Sequence, residues 1–382
     1  MALFDLKTRA DLQFLIDNKI FENKELEYKA FSFINGKLEE KQKNKLVQEV
    51  AAFANTNGGS IVIGIQEDEN RFPATLCGTG MSMGDFDNWR SSFQQSVRSR
   101  IRPPLHGVDY TPVELEENNI AIVITVTKSY ARPHSFWDGN KDEFFMRYVN
   151  GIAPMDIDDL RREFLYTNGL QDKIRKFRRD RISLILANEC VGDLGSDAKI
   201  VFHIIPEWSL ELGNTVDLHF FEGNSSFRPI SGSGWNNRYN ADGYCIFAKD
   251  YATHAINCYT QVFHSGIIEA TEIRLVSRYK PRFIYNWRDL LGAAKDRITE
   301  YADLLEELKI PKPWHISASL LNAKGYATDT GWDTSEQIDR DVVNSLDGLC
   351  TEDISVEIAL KPVFDSLSNA LGLDQSGLVI SS

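Results

Sequence analysis

The chain lacks most of the features that would assign it to a large functional class at sight. Its 382 residues include five cysteines, Cys77, Cys190, Cys245, Cys258 and Cys350, scattered and odd in number, with no close C-x-x-C pair. That usage speaks against a disulfide framework or a thiolate zinc site and suits reduced thiols in a cytosol. The seven histidines are equally dispersed, none at ligand spacing from another. No run of about 18 apolar residues occurs, so no transmembrane helix and no membrane partner are expected. The opening MALFDLKTRADLQFLIDNKIF carries acids early and has no apolar h-region, so a secretory signal is not expected and a cytoplasmic location is. There is no G-x-x-x-x-G-K-[ST] loop, which argues against P-loop ATP hydrolysis. Internal repeats and low-complexity tracts are absent. Excess positive charge is absent too: 42 Lys and Arg stand against 55 Asp and Glu, a net charge of −13. That balance argues against a general nucleic-acid coat protein but leaves room for a local basic patch.

What is present reads as an α+β protein of two domains, the expectation for this length. Thr8 can cap a helix over 8–20, with Leu12, Leu15 and Ile16 at helical spacing. ELEYKAF (25–31) alternates, with Glu25, Glu27 and Lys29 on one face and Leu26, Tyr28 and Ala30 on the other, the pattern of a strand. EKQKNKLVQEVAAFANTN (40–57) reads as a helix with a narrow stripe of Leu46, Val47, Val50, Ala51 and Ala54, ended by Asn57-Gly58-Gly59. A buried strand at 60–65 follows, with the polar exit QEDEN. Then come a helix around 85–101, a strand at 119–129, a strand and turn at 143–154, and a helix at 155–166 opening with acids. Gly169 and the basic run from Lys173 to Arg181 suggest a junction: a solvated helical linker or a basic rim for an RNA backbone. The domains are thus 1–170 and 171–382. In the second, four segments beginning at Lys199, Thr215, Tyr244 and Ile267 look like strands. The last of these runs to Val276. NWRDLLGAAKDRITEYADLLEELKI (286–310) is the longest helix, and 334–373 gives a helical region with one weak strand. The Gly- and Asn-rich loop at 231–244 could stack a base through Trp235 or simply be packed by it.

The most informative stretch is FENKELEYKAF (21–31). Alternating Glu and Lys can be no more than a solvated strand face that deters edge pairing. However, Glu22 lies five residues before Glu27, in a segment entering the strand, and Glu27-Tyr28-Lys29 sets an acid and a cation on one face. Glu67, Asp68 and Glu69 follow the next strand and could face them. Carboxylates about 4 Å apart repel by several kcal/mol at an effective dielectric near 20, so three cannot share a place uncompensated. Either a pKa rises or a divalent cation binds, and all-oxygen donors suit Mg2+ or Mn2+. Such an ion polarises phosphoryl oxygens and acidifies bound water, and Lys29 would stabilise charge building on the phosphate. Arg90, Arg98, Arg100 and Arg102 could line a phosphate groove or form a solvated helix face. His134, after Pro133, has the chemistry of a general acid.

ENKELEYK (22–29), AAFANTNGG (51–59) and IVIGIQED (61–68), with SYARPH (129–134) and FFMRYVNG (144–151), resemble the Schlafen AlbA_2 domain family over roughly residues 12–166. The resemblance implies a Schlafen-like mixed α/β domain, followed here by a second α+β domain of sensor, substrate-binding or dimerisation role. It implies a metal-dependent endoribonuclease cleaving structured RNA such as tRNA, with a role in stress or anti-phage defence; the alternative is a non-catalytic nucleic-acid-binding regulatory protein. Position by position, it implies that Glu22, Glu27 and Glu67 hold Mg2+ or Mn2+, with Lys29 as the family lysine. Glu67 departs from the aspartate usual in the animal proteins, and Asp68 is a nearby substitute. Arg132 and Arg147 fall in family-like segments and join Arg98, Arg100 and Arg102 as expected nucleic-acid contacts. The zinc site of the animal proteins has no matching Cys/His cluster, and none is expected. Those proteins pair two lobes where this chain has one, so a homodimer is expected.

Overall fold

A computed structural model describes residues 6–377 apart from 32, 35, 117, 149–150, 232–233, 251, 253, 274–281, 285 and 331–332. The turn expected after residue 148 and the end of the strand expected to reach 276 therefore lie outside the described residues, as do 232–233 of the loop at 231–244. The chain divides into two compact units, Met1–Gly169 and Leu170–Ser382, and both are α+β.

In the first unit, α1 (Arg9–Asp17) starts at a capping box in which Thr8 and Asp11 exchange side-chain and backbone hydrogen bonds. β1 (Leu26–Lys29) is followed by α2 (Glu40–Ala54), β2 (Gly58–Ile63), β3 (Ile65–Glu67) and β4 (Pro73–Leu76). Next come α3 (Met83–Arg100), β5 (Ile101–Arg102), β6 (Val108–Glu116), β7 (Asn119–Thr127), β8 (Ser135–Trp137), β9 (Asp142–Tyr148) and β10 (Gly151–Pro154). The main sheet has the order β1-β2-β7-β6. β1 and β2 are parallel because α2 crosses between them, and the other pairs are antiparallel. A second antiparallel sheet has the order β10-β9-β8-β5, and β3 and β4 form a hairpin.

Both faces of the main sheet are buried, by different helices. Leu26, Tyr28, Val62, Ala121 and Val123 pack with Leu12 and Leu15 of α1. Ile61, Ile63, Ile122, Ile124 and Val126 pack with Leu46, Val50, Ala51 and Phe53 of α2 and with Phe86, Trp89 and Phe93 of α3. Each buried Val, Leu, Ile or Phe among them contributes about 1.5–3 kcal/mol. The two-residue period of β1 follows from this. Leu26 and Tyr28 belong to the α1 side, so Glu27 and Lys29 are turned toward α2.

α2 ends earlier than the sequence suggests, at Ala54, and Asn55 becomes a buried fastener. Its side-chain amide donates to the carbonyls of His134 and Phe145 at 2.8 Å, and its oxygen accepts from the His134 amide at 2.7 Å. The glycine pair belongs to β2 rather than to a helix cap. A Cβ at Gly58 would lie 2.6 Å from the Val126 oxygen, and one at Gly59 would lie 2.3 Å from the Phe53 ring. Close packing therefore accounts for both glycines without any phosphate.

α4 (Ile157–Leu186) runs without a break across the expected junction. Gly169 sits in open space inside it, and a lone helical glycine costs only about 1 kcal/mol. The basic run is thus helical but not wholly solvated. Arg178 reaches Asp347 at 2.5 Å and the Ala318 carbonyl at 2.8 Å, and Arg181 is buried.

The second unit is built on β11 (Lys199–Pro206), β12 (Asn236–Tyr239), β13 (Gly243–Lys249), β14 (Ile256–Phe263) and β15 (Ile268–Glu272). After β16 (Phe283–Ile284) come α5 (Trp287–Glu307), β17 (Trp314–Leu321), β18 (Ala327–Thr328), β19 (Val342–Asn344), β20 (Gly348–Cys350) and α6 (Val356–Asn369). The segment expected as a strand from Thr215 is instead a short 3-10 turn at Leu218–Phe221. The large antiparallel sheet has the order β12-β13-β14-β15-β11-β17-β19, with β20 also on β17. Its apolar face, with Phe202, Ile204, Ile316 and Leu320, packs against α5 and α6. The opposite face buries a charged group. Arg181 donates from Nε and Nη2 to Glu269 at 2.9 Å, His203 Nε2 lies 2.9 Å from the same carboxylate, and the Tyr259 hydroxyl donates to it at 2.7 Å.

Candidate functional site

The carboxylate stretch becomes a site through the crossover of β1, α2 and β2. Glu27 is 4% exposed, and its two oxygens are divided between two cations: Oε1 accepts from Lys29, and Oε2 lies 2.8 Å from Arg147 Nη2. Arg147, on β9 and 2% exposed, also donates from Nη1 to Glu49 Oε2 at 2.9 Å and from Nη2 to the Asn23 carbonyl at 2.8 Å. Its guanidinium lies over the Phe53 ring, 4.2 Å from the centroid. Lys29 Nζ lies 3.5 Å from Glu49 Oε1, which closes a ring of two acids and two cations. Glu22 faces this ring from the loop before β1, and its Oε1 accepts from the Tyr28 amide at 2.8 Å.

The protonation tendencies follow from this packing. Burial, followed by the nearby Glu27, raises the Glu22 carboxyl. Burial, then Glu22 and then Glu27, raise the Glu67 carboxyl at the end of β3. Glu49 is raised by its own burial and by Glu27. Glu27 alone is lowered, because Lys29 and Arg147 outweigh its burial. Burial opposes the charge on Lys29, yet Glu49 and Glu27 hold its ammonium above the ordinary lysine range. With all groups ionised, four carboxylates and two cations leave two negative charges, the charge a divalent ion would neutralise. Glu67 Oε1 is buried without a hydrogen-bond partner. Hard oxygen donors and one orphaned oxygen fit Mg2+ or Mn2+. Even so, among the described residues no three His, Cys, Asp or Glu side chains stand assembled as a metal site. The expected ligand set of Glu22, Glu27 and Glu67 shares one electrostatic neighbourhood but is not preassembled, because Glu27 is held by Lys29 and Arg147.

The other expected residues separate by burial. Asp68, the nearby substitute, is engaged in its own turn: its Oδ1 accepts from the Asn70 and Phe72 amides at 2.8 and 2.9 Å and shapes the β3–β4 turn. Arg98 is exposed on α3. Arg100 bonds Asn44 and pairs with Glu40 at 2.7 Å. Arg102 is exposed, 3.7 Å from Asp142 and over the Trp137 ring at 4.7 Å. Arg132 and Arg147 correct the expectation of nucleic-acid contact, since both are buried. Arg132 pairs with Glu163 at 2.6 Å and lies over Tyr166, and Arg147 is spent inside the carboxylate ring. His134 is buried between the Pro103 carbonyl at 2.8 Å and the Ser129 hydroxyl at 2.6 Å. Burial lowers its pKa to about 4, so it is neutral near pH 7 and no general acid.

Glu49 was not among the residues the sequence singled out. Its signal was an acid three residues after Leu46 and four before Phe53, on the apolar stripe of α2, where a charge needs a partner.

Residues 22–156 match the family model described as Schlafen, AlbA_2. No curated protein matches the chain. Among solved structures, the crystal structure of the DIP2311 protein from Corynebacterium diphtheriae is 18% identical over 38% of this chain and 26% of that one, with a TM-score of 0.26. This chain thus spans about a quarter of that protein's length, and a likeness so slight carries no argument. The family points to a nucleic-acid-related function. Among the described residues no helix is long and apolar enough to cross a membrane. The segment from Glu22 to Asp156 is therefore a Schlafen AlbA_2 domain.

Proposed function

We propose that the first unit is a metal-dependent endoribonuclease acting on structured RNA such as tRNA. The observation that supports this most directly is the gathering of Glu22, Glu27 and Glu67. They come from a loop and two strands, and burial, then Glu22 and Glu27, raise the Glu67 carboxyl. Glu22, Glu27 and Glu67 would hold Mg2+ or Mn2+, which supplies an acidified water and a polarised phosphoryl oxygen. Lys29 offsets negative charge building on the phosphate. Glu49 and Arg147 hold Lys29 and Glu27 in place, so that neither has to be ordered when substrate arrives. Arg98 and Arg102, exposed near one end of α3, are the basic residues best placed to meet an RNA backbone. A cytoplasmic setting agrees with five cysteines of which none is in a disulfide. A homodimer would supply a second lobe, and a role in stress or phage infection rests on the family alone.

A second reading, a non-catalytic nucleic-acid-binding regulatory protein, is favoured by one observation: both oxygens of Glu27 are already engaged by internal cations. Incubation of the full chain with tRNA and Mn2+ separates the two. The expected result is cleavage by the wild type and none by Glu67→Gln, which leaves the Glu27–Arg147 ring intact. Binding without cleavage in both proteins would support the regulatory reading, and equal cleavage by both would remove Glu67 from the mechanism.

A further inference from the structure

Two phenylalanines stand at the rim of the carboxylate site, one beside each outer acid. Phe21 immediately precedes Glu22 and is 50% exposed. Phe72 lies in the β3–β4 turn, five residues after Glu67. Their ring centroids are 4.1 Å apart with planes tilted by 39°, and neither ring belongs to the two apolar cores of the unit.

Phe72 is rigidly presented. Asp68 donates its amide to the Phe72 carbonyl at 2.8 Å and accepts the Phe72 amide on its side chain at 2.9 Å. Both flanking cations are exposed and sit in the left-handed region, Lys19 at φ 48° and Arg71 at φ 64°. Lys19 ends α1 and Arg71 closes the β3–β4 turn, and these backbone roles fix where both side chains leave the chain. Lys19 Nζ lies 5.4 Å from the Phe72 ring centroid, and the charge of Arg71 acts on the Glu67 carboxyl. The rim therefore combines two contacting aromatic rings, one of them half exposed, with two exposed cations beside acids suited to phosphodiester chemistry.

We propose that Phe21 and Phe72 form a stacking platform for one unpaired nucleobase, with Lys19 and Arg71 receiving the adjoining phosphates. Every base offers a π-face, so the platform is tolerant of sequence. It selects for strand state, because bases inside an A-form duplex are not available to be stacked on a side chain. The proposal rests on the nuclease reading in placing the scissile linkage of a loop or single-stranded end at the neighbouring carboxylates. The stacking itself needs neither metal nor cleavage.

The test uses the full chain in EDTA and a short single-stranded oligoribonucleotide carrying one 2-aminopurine, with the fully paired duplex as comparison. Saturable quenching of the 2-aminopurine is expected. Phe21→Leu and Phe72→Leu, which keep an apolar side chain but lose the π-face, are expected to weaken single-strand binding roughly tenfold and leave duplex binding unchanged. Phe21→Trp is expected to retain it, and thermal melts check that each variant is folded. Leu variants that bind the single strand as tightly as the wild type overturn the platform, as do variants that lose single strand and duplex equally. Quenching that depends on the rings, in a protein that never cleaves RNA with Mn2+, keeps the platform and sinks the hydrolase. Cleavage by the wild type with binding indifferent to the rings does the reverse.

Discussion

Arg147 and Glu27 are 120 residues apart in sequence and 2.8 Å apart in the fold, both almost without access to solvent. The pair ties the second sheet of the unit to the first strand of the main sheet. It also consumes half of the one carboxylate that both readings of the site depend on. Removing one partner of a buried, hydrogen-bonded charge pair leaves the other uncompensated. Arg147→Met is therefore expected to destabilise the protein by about 3–5 kcal/mol, read from urea unfolding. It is expected to weaken RNA cleavage through loss of Glu27 placement rather than loss of substrate contact, so KM should change less than kcat. A pure rise in KM would restore Arg147 to the list of nucleic-acid contacts.

Glu67 reports on the ion. If the acids hold Mn2+, binding to the folded state alone adds about 2.7 kcal/mol when the ion is at a hundred times its dissociation constant. The wild type is expected to melt at higher temperature with Mn2+ than in EDTA, and Glu67→Gln to lose most of that shift. Without metal, Glu67→Gln is expected to be at least as stable as the wild type at neutral pH, because it removes a charge that burial, Glu22 and Glu27 all oppose. An equal Mn2+ shift in both proteins would place the ion elsewhere.

His134 makes the first unit sensitive to acid. Its folded pKa, about 4, lies below the ordinary 6.5. A depressed folded value means the native state prefers the neutral ring. The corresponding stability is complete above about pH 6.5 and is lost as pH falls toward 4, by at most about 3 kcal/mol. His134→Gln is expected to flatten the pH dependence of stability in that window. An NMR titration showing His134 protonating near 6.5 would contradict its placement between Pro103 and Ser129.

Arg181 and Glu269 play the corresponding part in the second unit. Burial would raise the Glu269 carboxyl, but hydrogen bonds from His203 and Arg181 hold it down to about 2. Its stabilisation is present above the ordinary glutamate value and is lost as pH falls toward 2. Arg181→Met is expected to cost about 3–5 kcal/mol at neutral pH, with the deficit shrinking in acid, as followed by urea unfolding across pH. A variant as stable as the wild type would show that helix α4 does not depend on this contact.

Several parts of this arrangement were legible in the residues. The alternation of Leu26 and Tyr28 with Glu27 and Lys29 showed which side chains would share a face of β1, because a strand repeats every two residues. The stripe of Leu46, Val47, Val50 and Ala51 showed α2 packing on one side. The basic run was legible as basic but not as partly buried, because composition cannot show what a helix lies against. Arg178 and Arg181 look solvated in sequence, and only the sheet beneath them supplies the Ala318 carbonyl and Glu269.

The residues of the first unit by themselves determined its local structure: which segments coil or extend, which faces are apolar, and which acids lie near the ends of β1 and β3. They did so because period, capping and turn chemistry act over a few positions. Only the tertiary structure decided what those acids meet. It brought Arg147 and Glu49 to Glu27, left Glu67 with an unpartnered oxygen, and set Phe21 against Phe72. Electrostatic and ring contacts act through space over a few ångströms, and the partners that satisfy them come from distant segments whose pairing is set by how sheets and helices pack.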